Sequence, residues 1–226
     1  MSKVELYSFE ACPFAQRTRM VLAEKAIAFE LHEIDLADRP ANWLEISPTG
    51  KVPVLRHEGV TIYESAIINQ YLDESFDGPA LMPATPAGRA QARIWMDYCD
   101  HQLLPAMHQL MWQRDDDTRI EANRKKARDS LVELETRGLS NNSGGPYWFG
   151  TEPSLVDFQY LPFFERLPVY QELAGLEWPA ECEGLEHWLA AMKTRDSVRE
   201  TLRPVDFHIE QQRLMLERIA ARRSAA

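Results

Sequence analysis

Residues 4–26 read VELYSFEACPFAQRTRMVLAEKA. An apolar run, Val4-Glu5-Leu6-Tyr7, leads to Cys12, then Pro13, then a segment with helical spacing from Phe14 to Ala26. This order predicts a strand, a turn and a helix opening at Pro13, because proline suits a first helical position where no N–H is needed. Cys12 then stands at a helix N-terminus. Unpaired N–H groups and the positive end of the helix dipole favour a thiolate there, so the thiol is expected to be more acidic than the ordinary value of about 8.5. A cysteine in this place equally serves as a helix cap, and the position alone leaves both readings open.

The same alternation continues outward. Phe29 to Ile34 reads as extended and Trp43 to Ile46 as a short helical piece. Val52-Pro53-Val54-Leu55 and Val60-Thr61-Ile62-Tyr63 flank His57-Glu58-Gly59 as a hairpin, and Glu64-Ser65 opens a helix with Ile67, Ile68, Tyr71 and Leu72 at helical spacing. A βαβ unit, a short helix and then ββα is the thioredoxin-like arrangement, a mixed four-stranded sheet with helices on its faces. Gly78, Pro79 and Pro83 mark a linker from Phe76 to Thr85. Beyond it, helical segments are expected at Pro86 to Arg114, Thr118 to Gly138, Ser154 to Leu167, Gly184 to Lys193 and Asp206 to Arg223, with a loop at 141–146 and no strand. The fold class is therefore α/β plus all-α, with a thioredoxin-like domain at residues 1–76 and an all-helical domain at residues 86–226.

Composition bounds the function. A length of 226 residues suits two domains of roughly 100 to 150 residues each. With 45% hydrophobic and 27% charged residues the chain can bury cores without being disordered, and a mean hydropathy of -0.40 argues against a membrane protein. The N-terminus lacks the pattern of a signal peptide, so a cytoplasmic protein is expected. Cys12, Cys99 and Cys182 are odd in number and far apart, which fits a reducing compartment and no disulfide framework. Ala15 stands where a C-x-x-C motif would place a resolving cysteine, so an active Cys12 needs an external thiol. The net charge of 25 minus 35, or -10, repels phosphate backbones, so no nucleic acid is expected as a partner. Arg124-Lys125-Lys126-Arg128 reads as a solvated helix face.

The chain resembles the cytosolic glutathione transferase family, most specifically at Pro48-Thr49-Gly50-Lys51-Val52-Pro53-Val54-Leu55, Tyr63-Glu64-Ser65-Ala66-Ile67 and Ser154-Leu155-Val156-Asp157-Phe158. Cys12-Pro13-Phe14-Ala15 resembles its omega-type, cysteine-containing branch. The resemblance implies glutathione as co-substrate, no metal, a homodimer, and a catalytic Cys12. It implies a cis Val52-Pro53 bond that frees the Val52 backbone to pair with the cysteinyl unit of glutathione, with Pro53 structural. Glutathione contacts are further implied at Phe14, at Arg39 and Lys51 for the glycyl carboxylate, and at Glu64 and Ser65. The last pair has a physical logic, since a helix start and a serine hydroxyl receive a carboxylate while a glutamate receives an ammonium group, and the γ-glutamyl end carries both. Ser154 and Asp157 form a capping-box variant assigned to folding. Most apolar residues of the helix after the linker are expected to be core, and the resemblance implies that a few of Trp95, Tyr98, Cys99 and Met111 line a second-substrate pocket.

Cys99-Asp100-His101 is set aside as a metal or nucleophile cluster, because neighbours on a helix face different ways. Tyr7, within the first strand, is expected to be structural, and Cys182 inert. The resulting function is a glutathione-dependent thiol transferase working through a mixed disulfide on Cys12. Its rivals are a conjugating transferase, a dehydroascorbate or quinone-type reductase, and a non-catalytic interaction protein of the stringent starvation type. The identity of the second substrate is left open.

Overall fold

The computed structural model describes residues 3–113, 116–139 and 144–224. In chain order it comprises β1 (Glu5–Ser8), α1 (Pro13–Glu24), β2 (Glu30–Glu33), α2 (Trp43–Ile46), β3 (Val54–His57), β4 (Val60–Tyr63) and α3 (Ser65–Ser75). After the linker follow α4 (Pro86–Tyr98), α5 (Leu104–Trp112), α6 (Asp117–Glu133), α7 (Leu155–Glu165), α8 (Leu167–Ala174), α9 (Glu183–Lys193), α10 (Asp196–Arg199) and α11 (Val205–Ser224).

The strands form one sheet in the order β2-β1-β3-β4, with β1 parallel to β2 and antiparallel to β3. Alternation along the strands separates the two faces. Leu6 and Leu55, register partners, bury against Met20, Leu22, Ile68 and Leu72 of α1 and α3, whereas Tyr7 and Val54 face a smaller cluster with Ile34, Trp43 and Val52. Tyr7 is thus structural, as expected, and its ring stacks on His32 at 4.6 Å. The hairpin turns on two residues, since His57 belongs to β3 and Glu58 and Gly59 both take positive φ, 50° and 78°, as a type I′ turn requires.

The linker is tied down. The Asp73 carboxylate of α3 accepts from the backbone N–H groups of Leu81 at 2.8 Å and Met82 at 3.1 Å, while Leu81 O accepts from Leu155 N at 2.8 Å. Lys25, just after α1, pairs with the same carboxylate at 3.3 Å. The core that begins under the sheet therefore continues without a break through Trp95, Leu103, Leu131, Trp148, Phe158 and Phe164.

The helical part departs from expectation in several places, a π-helical turn at Leu134–Gly138 among them. The helix expected over Pro86 to Arg114 widens into a π-helical turn at Cys99–Leu103, where Leu104 N–H reaches back to Cys99 O. Pro105 offers the reason, since it has no N–H and its ring crowds the carbonyl four residues back, which the wider turn relieves. Arg114 lies outside the described residues, as do Asn141, Asn142 and Ser143 of the expected loop. The segment expected over Ser154 to Leu167 ends at Glu165, and α8 and α10 were not anticipated. Tyr147 and Gly150 also form an isolated β-bridge. The basic cluster lies on α6 as a solvated face, with Arg124 paired to Glu121, Lys125 to Asp129 and Arg128 to Glu181. Among the described residues no helix is long and apolar enough to cross a membrane.

The capping box at α7 forms as expected and holds more than a cap. Asp157 accepts from Ser154 N at 2.7 Å and Ser154 Oγ at 2.8 Å, and also from Trp148 N at 2.9 Å and Trp188 Nε1 at 2.8 Å. It is fully buried, and burial pushes its pKa up against those four donors. Losing the carboxylate would orphan all four donors, so Asp157→Ala is expected to lower stability by about 3 kcal/mol. Ser154→Ala, which removes only the cap, is expected to cost about 1 kcal/mol. Urea unfolding checks both.

Candidate functional site

Cys12 closes the loop between β1 and α1. Its N–H donates to Phe9 O at 2.9 Å, and its own carbonyl accepts the first helical bond from Gln16 N at 3.0 Å. Cys12 occupies the N-cap position of α1, with the Phe14 and Ala15 backbone N–H groups turned toward its thiol. The half-buried Sγ lies 3.9 Å from Val52 O, and the Val52-Pro53 bond is cis, as the resemblance implied. The expected direction of the thiol's acidity is corrected by the structure. Burial is the largest influence and pushes the Cys12 thiol up, against the Ala15 and Phe14 backbone N–H groups and the guanidinium groups of Arg166 and Arg19, which pull it down.

The loop that presents the thiol is held by cations from three parts of the chain. Arg19 of α1 donates to Ser8 Oγ at 2.6 Å, Phe9 O at 3.3 Å and Glu10 O at 3.0 Å. Arg166, which follows α7, donates to Ala11 O at 3.3 Å and to Gln16 Oε1 at 2.7 Å. Arg203, ahead of α11, pairs with the Glu10 carboxylate at 2.6 Å. None of the three was singled out in the sequence, where each reads as an ordinary surface arginine.

A second cluster forms where α3 begins. Glu64 takes φ +66°, a strained conformation for a residue other than glycine, while its carbonyl accepts from Ile67 N and Ile68 N at 2.9 Å. Its side chain is exposed, whereas Ser65 is buried and its Oγ accepts from Arg17 at 3.2 Å. Arg17 is wholly buried. It pairs with Asp100 at 2.8 Å, donates to Gln159 O at 2.8 Å, and lies between the rings of Phe14 and Phe163 at 4.9 and 4.8 Å. Gln159 Nε2 completes the cluster by donating to Asp100 at 2.9 Å.

Asp100 thus has a role that the dismissal of Cys99-Asp100-His101 did not anticipate. Both Cys99 and Asp100 reach Arg17 from the π-helical turn, while the His101 side chain points outward. Among the described residues those three do not form a group that could hold a metal. Burial raises the thiols of Cys99 and Cys182 to about 12, which fits inert cysteines.

The remaining candidates are spread more widely. Arg39 and Lys51 are exposed, with the Arg39 guanidinium beside Gly50, and Lys51 O accepts from Ser47 Oγ at 2.7 Å. Phe14 is partly exposed and packs edge-on against Phe163. Trp95, Cys99 and Met111 are buried in the main core, and Tyr98 is half-buried with its hydroxyl on Glu133 at 3.0 Å. The resemblance implied that some of these four line an open pocket, but Trp95, Cys99 and Met111 are packed.

Comparison with known proteins follows the same outline. Residues 6–80 match the family model described as glutathione S-transferase, N-terminal domain, and residues 117–191 the one described as glutathione S-transferase, C-terminal domain. The chain is 34% identical over 220 residues to glutathione S-transferase U28 of Arabidopsis thaliana, covering 96% of each chain. The Tau class glutathione S-transferase from mango, Mangifera indica, superposes with a TM-score of 0.88 at 26% identity, covering 94% of this chain and 98% of that one. Glutathione transferase Omega 3C from Trametes versicolor does so with 0.80 at 27% identity, covering 89% and 90%. The omega-type branch is therefore not singled out.

The arrangement around the thiol generates a direct test. Arg166→Met removes one of the two cations that pull the Cys12 thiol down, so alkylation of Cys12 by iodoacetamide at pH 7 is expected to slow by about three- to tenfold, with the pH midpoint displaced upward. Arg166→Lys, which keeps the charge, is expected to restore most of the rate. An unchanged midpoint in Arg166→Met would remove the cation from this role.

Proposed function

Because the chain belongs to the glutathione S-transferase family, with glutathione as its co-substrate, we propose that it is a thiol transferase in which Cys12 exchanges disulfides. The observation that carries this reading is the cysteine itself, a free thiol at the start of α1 facing two backbone N–H groups and two guanidinium groups. A hydroxyl in that place would instead stabilise the thiolate of glutathione for addition to electrophiles.

In the proposed reaction the Cys12 thiolate attacks the glutathione sulfur of a mixed disulfide R–S–S–G. A Cys12–S–S–G bond forms, and the R–S⁻ that leaves takes up a proton. A second glutathione thiolate then attacks the glutathione sulfur of that adduct, releasing glutathione disulfide and restoring Cys12. The net change is R–S–S–G plus glutathione giving R–SH plus glutathione disulfide. In this proposal Val52 pairs with the cysteinyl unit, Glu64 and Ser65 receive the γ-glutamyl end, Arg39 and Lys51 face the glycyl carboxylate, and Phe14 borders the cleft. Arg17 fixes Ser65 in place, and the helical domain supplies the second-substrate pocket. Three free cysteines suit a reducing compartment, and the cytoplasm is the proposed location.

Conjugation is the second reading, favoured by the likeness to the Tau class structure and by the burial that keeps the Cys12 thiol above its ordinary value. One substitution separates the two. Cys12→Ser cannot form the mixed disulfide, so thiol exchange is expected to fall by more than about 100-fold while glutathione still binds, and glutathione disulfide should leave no adduct in the mass spectrum. Full exchange activity in Cys12→Ser would end the covalent reading.

A homodimer is also proposed. Val60 and Tyr63 on β4, Ile67 on α3 and Ile94 on α4 are large apolar side chains left exposed on neighbouring elements. Light scattering is expected to give twice the chain mass at micromolar concentration. Ile67→Glu should halve it.

A further inference from the structure

Beyond the thiol chemistry, the geometry points to a divalent transition-metal site on the β1–β2 pair, formed by Glu5, Glu30 and His32. The parallel register makes Glu5 and Glu30 direct partners and sets His32 two residues further along β2, on the same face of the strand. Their donor atoms converge. His32 Nε2 lies 3.2 Å from Glu5 Oε1 and 3.3 Å from Glu30 Oε1, and all three ligand atoms lie within 4.8 Å of one another.

The two histidine–carboxylate separations are those of an ion pair and also suit a shared metal ion. Zinc bonds of about 2.0–2.2 Å to nitrogen and oxygen, held at a tetrahedral angle, place neighbouring donors about 3.3–3.5 Å apart. The imidazole also distinguishes this group from a patch of acids, because one nitrogen with two carboxylate oxygens is a donor set suited to Zn²⁺, Co²⁺ or Ni²⁺. His32 is held in orientation from behind by its stack on Tyr7, whose own ring carries Arg56 at 5.4 Å.

A cation already occupies the outer side of this group. Lys3 Nζ lies 2.6 Å from Glu30 Oε2 and 3.2 Å from Glu5 Oε1. The lysine side chain is 60% exposed, so it can swing away. The two carboxylates then balance the charge of one divalent ion. Lys3 is an internal competitor for the site.

The test uses Zn²⁺ and the full chain carrying Cys12→Ser, which removes the one partly exposed thiol as an alternative ligand. Competition with a fluorescent chelator is expected to show one Zn²⁺ per chain. His32→Gln and, separately, Glu30→Gln should each weaken binding at least tenfold, and Lys3→Met should tighten it. Zn²⁺ should also raise the melting temperature of the parent and leave that of His32→Gln unchanged. Glu30 is exposed, so its variant reads out binding even if loss of the His32 stack on Tyr7 destabilises the fold. No binding by the parent, or binding by both variants as tight as the parent's, overturns the site.

Discussion

A guanidinium group with no access to water constrains much of this molecule. Arg17 lies in the second turn of α1, where an unpaired charge would cost several kcal/mol. Its partners come from everywhere else: Ser65 at the start of α3, Asp100 in the π-helical turn, the Gln159 carbonyl in α7, and the rings of Phe14 and Phe163. Each satisfies part of the fork, and together they fix how the sheet domain meets the helices. The π-helical turn gains a second meaning in this light, because it carries both Cys99 and Asp100 to the same guanidinium.

The thiol lives under two opposed influences, and only one of them is local. Its position at the start of α1 supplies backbone donors, and Arg19 of the same helix supplies charge. Its burial comes from the fold closing around it, and that closure brings Arg166 from beyond α7 as well. One act of packing both raises the thiol's pKa and delivers a cation that lowers it. A short motif read in isolation contains only the first half of this balance, which explains why the expected acidity was not found.

The sheet domain was readable from residues close together in the chain. Alternation in Val4 to Tyr7 and Val60 to Tyr63, glycine and proline punctuation, and Ser154 with Asp157 each encode local geometry, and each element appeared within a residue or two of its expected place. Arg17 could not be read that way. An arginine in a helix is ordinarily solvated, and only the convergence of Asp100 and Gln159, more than eighty residues away, makes it a core residue. The break between α7 and α8 falls at Glu165-Arg166, within a stretch from Phe158 to Val169 that is otherwise mostly apolar and carries prolines at both 162 and 168, so no single position marks it. The inward face holding Trp95, Cys99 and Met111 was legible as apolar, but whether such a face is packed or open depends on what lies opposite.

The linker carries one more implication, for how ligands get in and out. A segment with prolines and a glycine between two domains suggests a hinge, yet Asp73 grips the N–H groups of Leu81 and Met82, and the Leu81 carbonyl is tied to α7. The two halves are fastened at the point where they would have to pivot. Opening the molecule like a clamshell would break those bonds and expose the shared core, so traffic to the thiol must run along its surface side, past the partly exposed ring of Phe14 and the exposed arms of Arg39, Lys51 and Glu64.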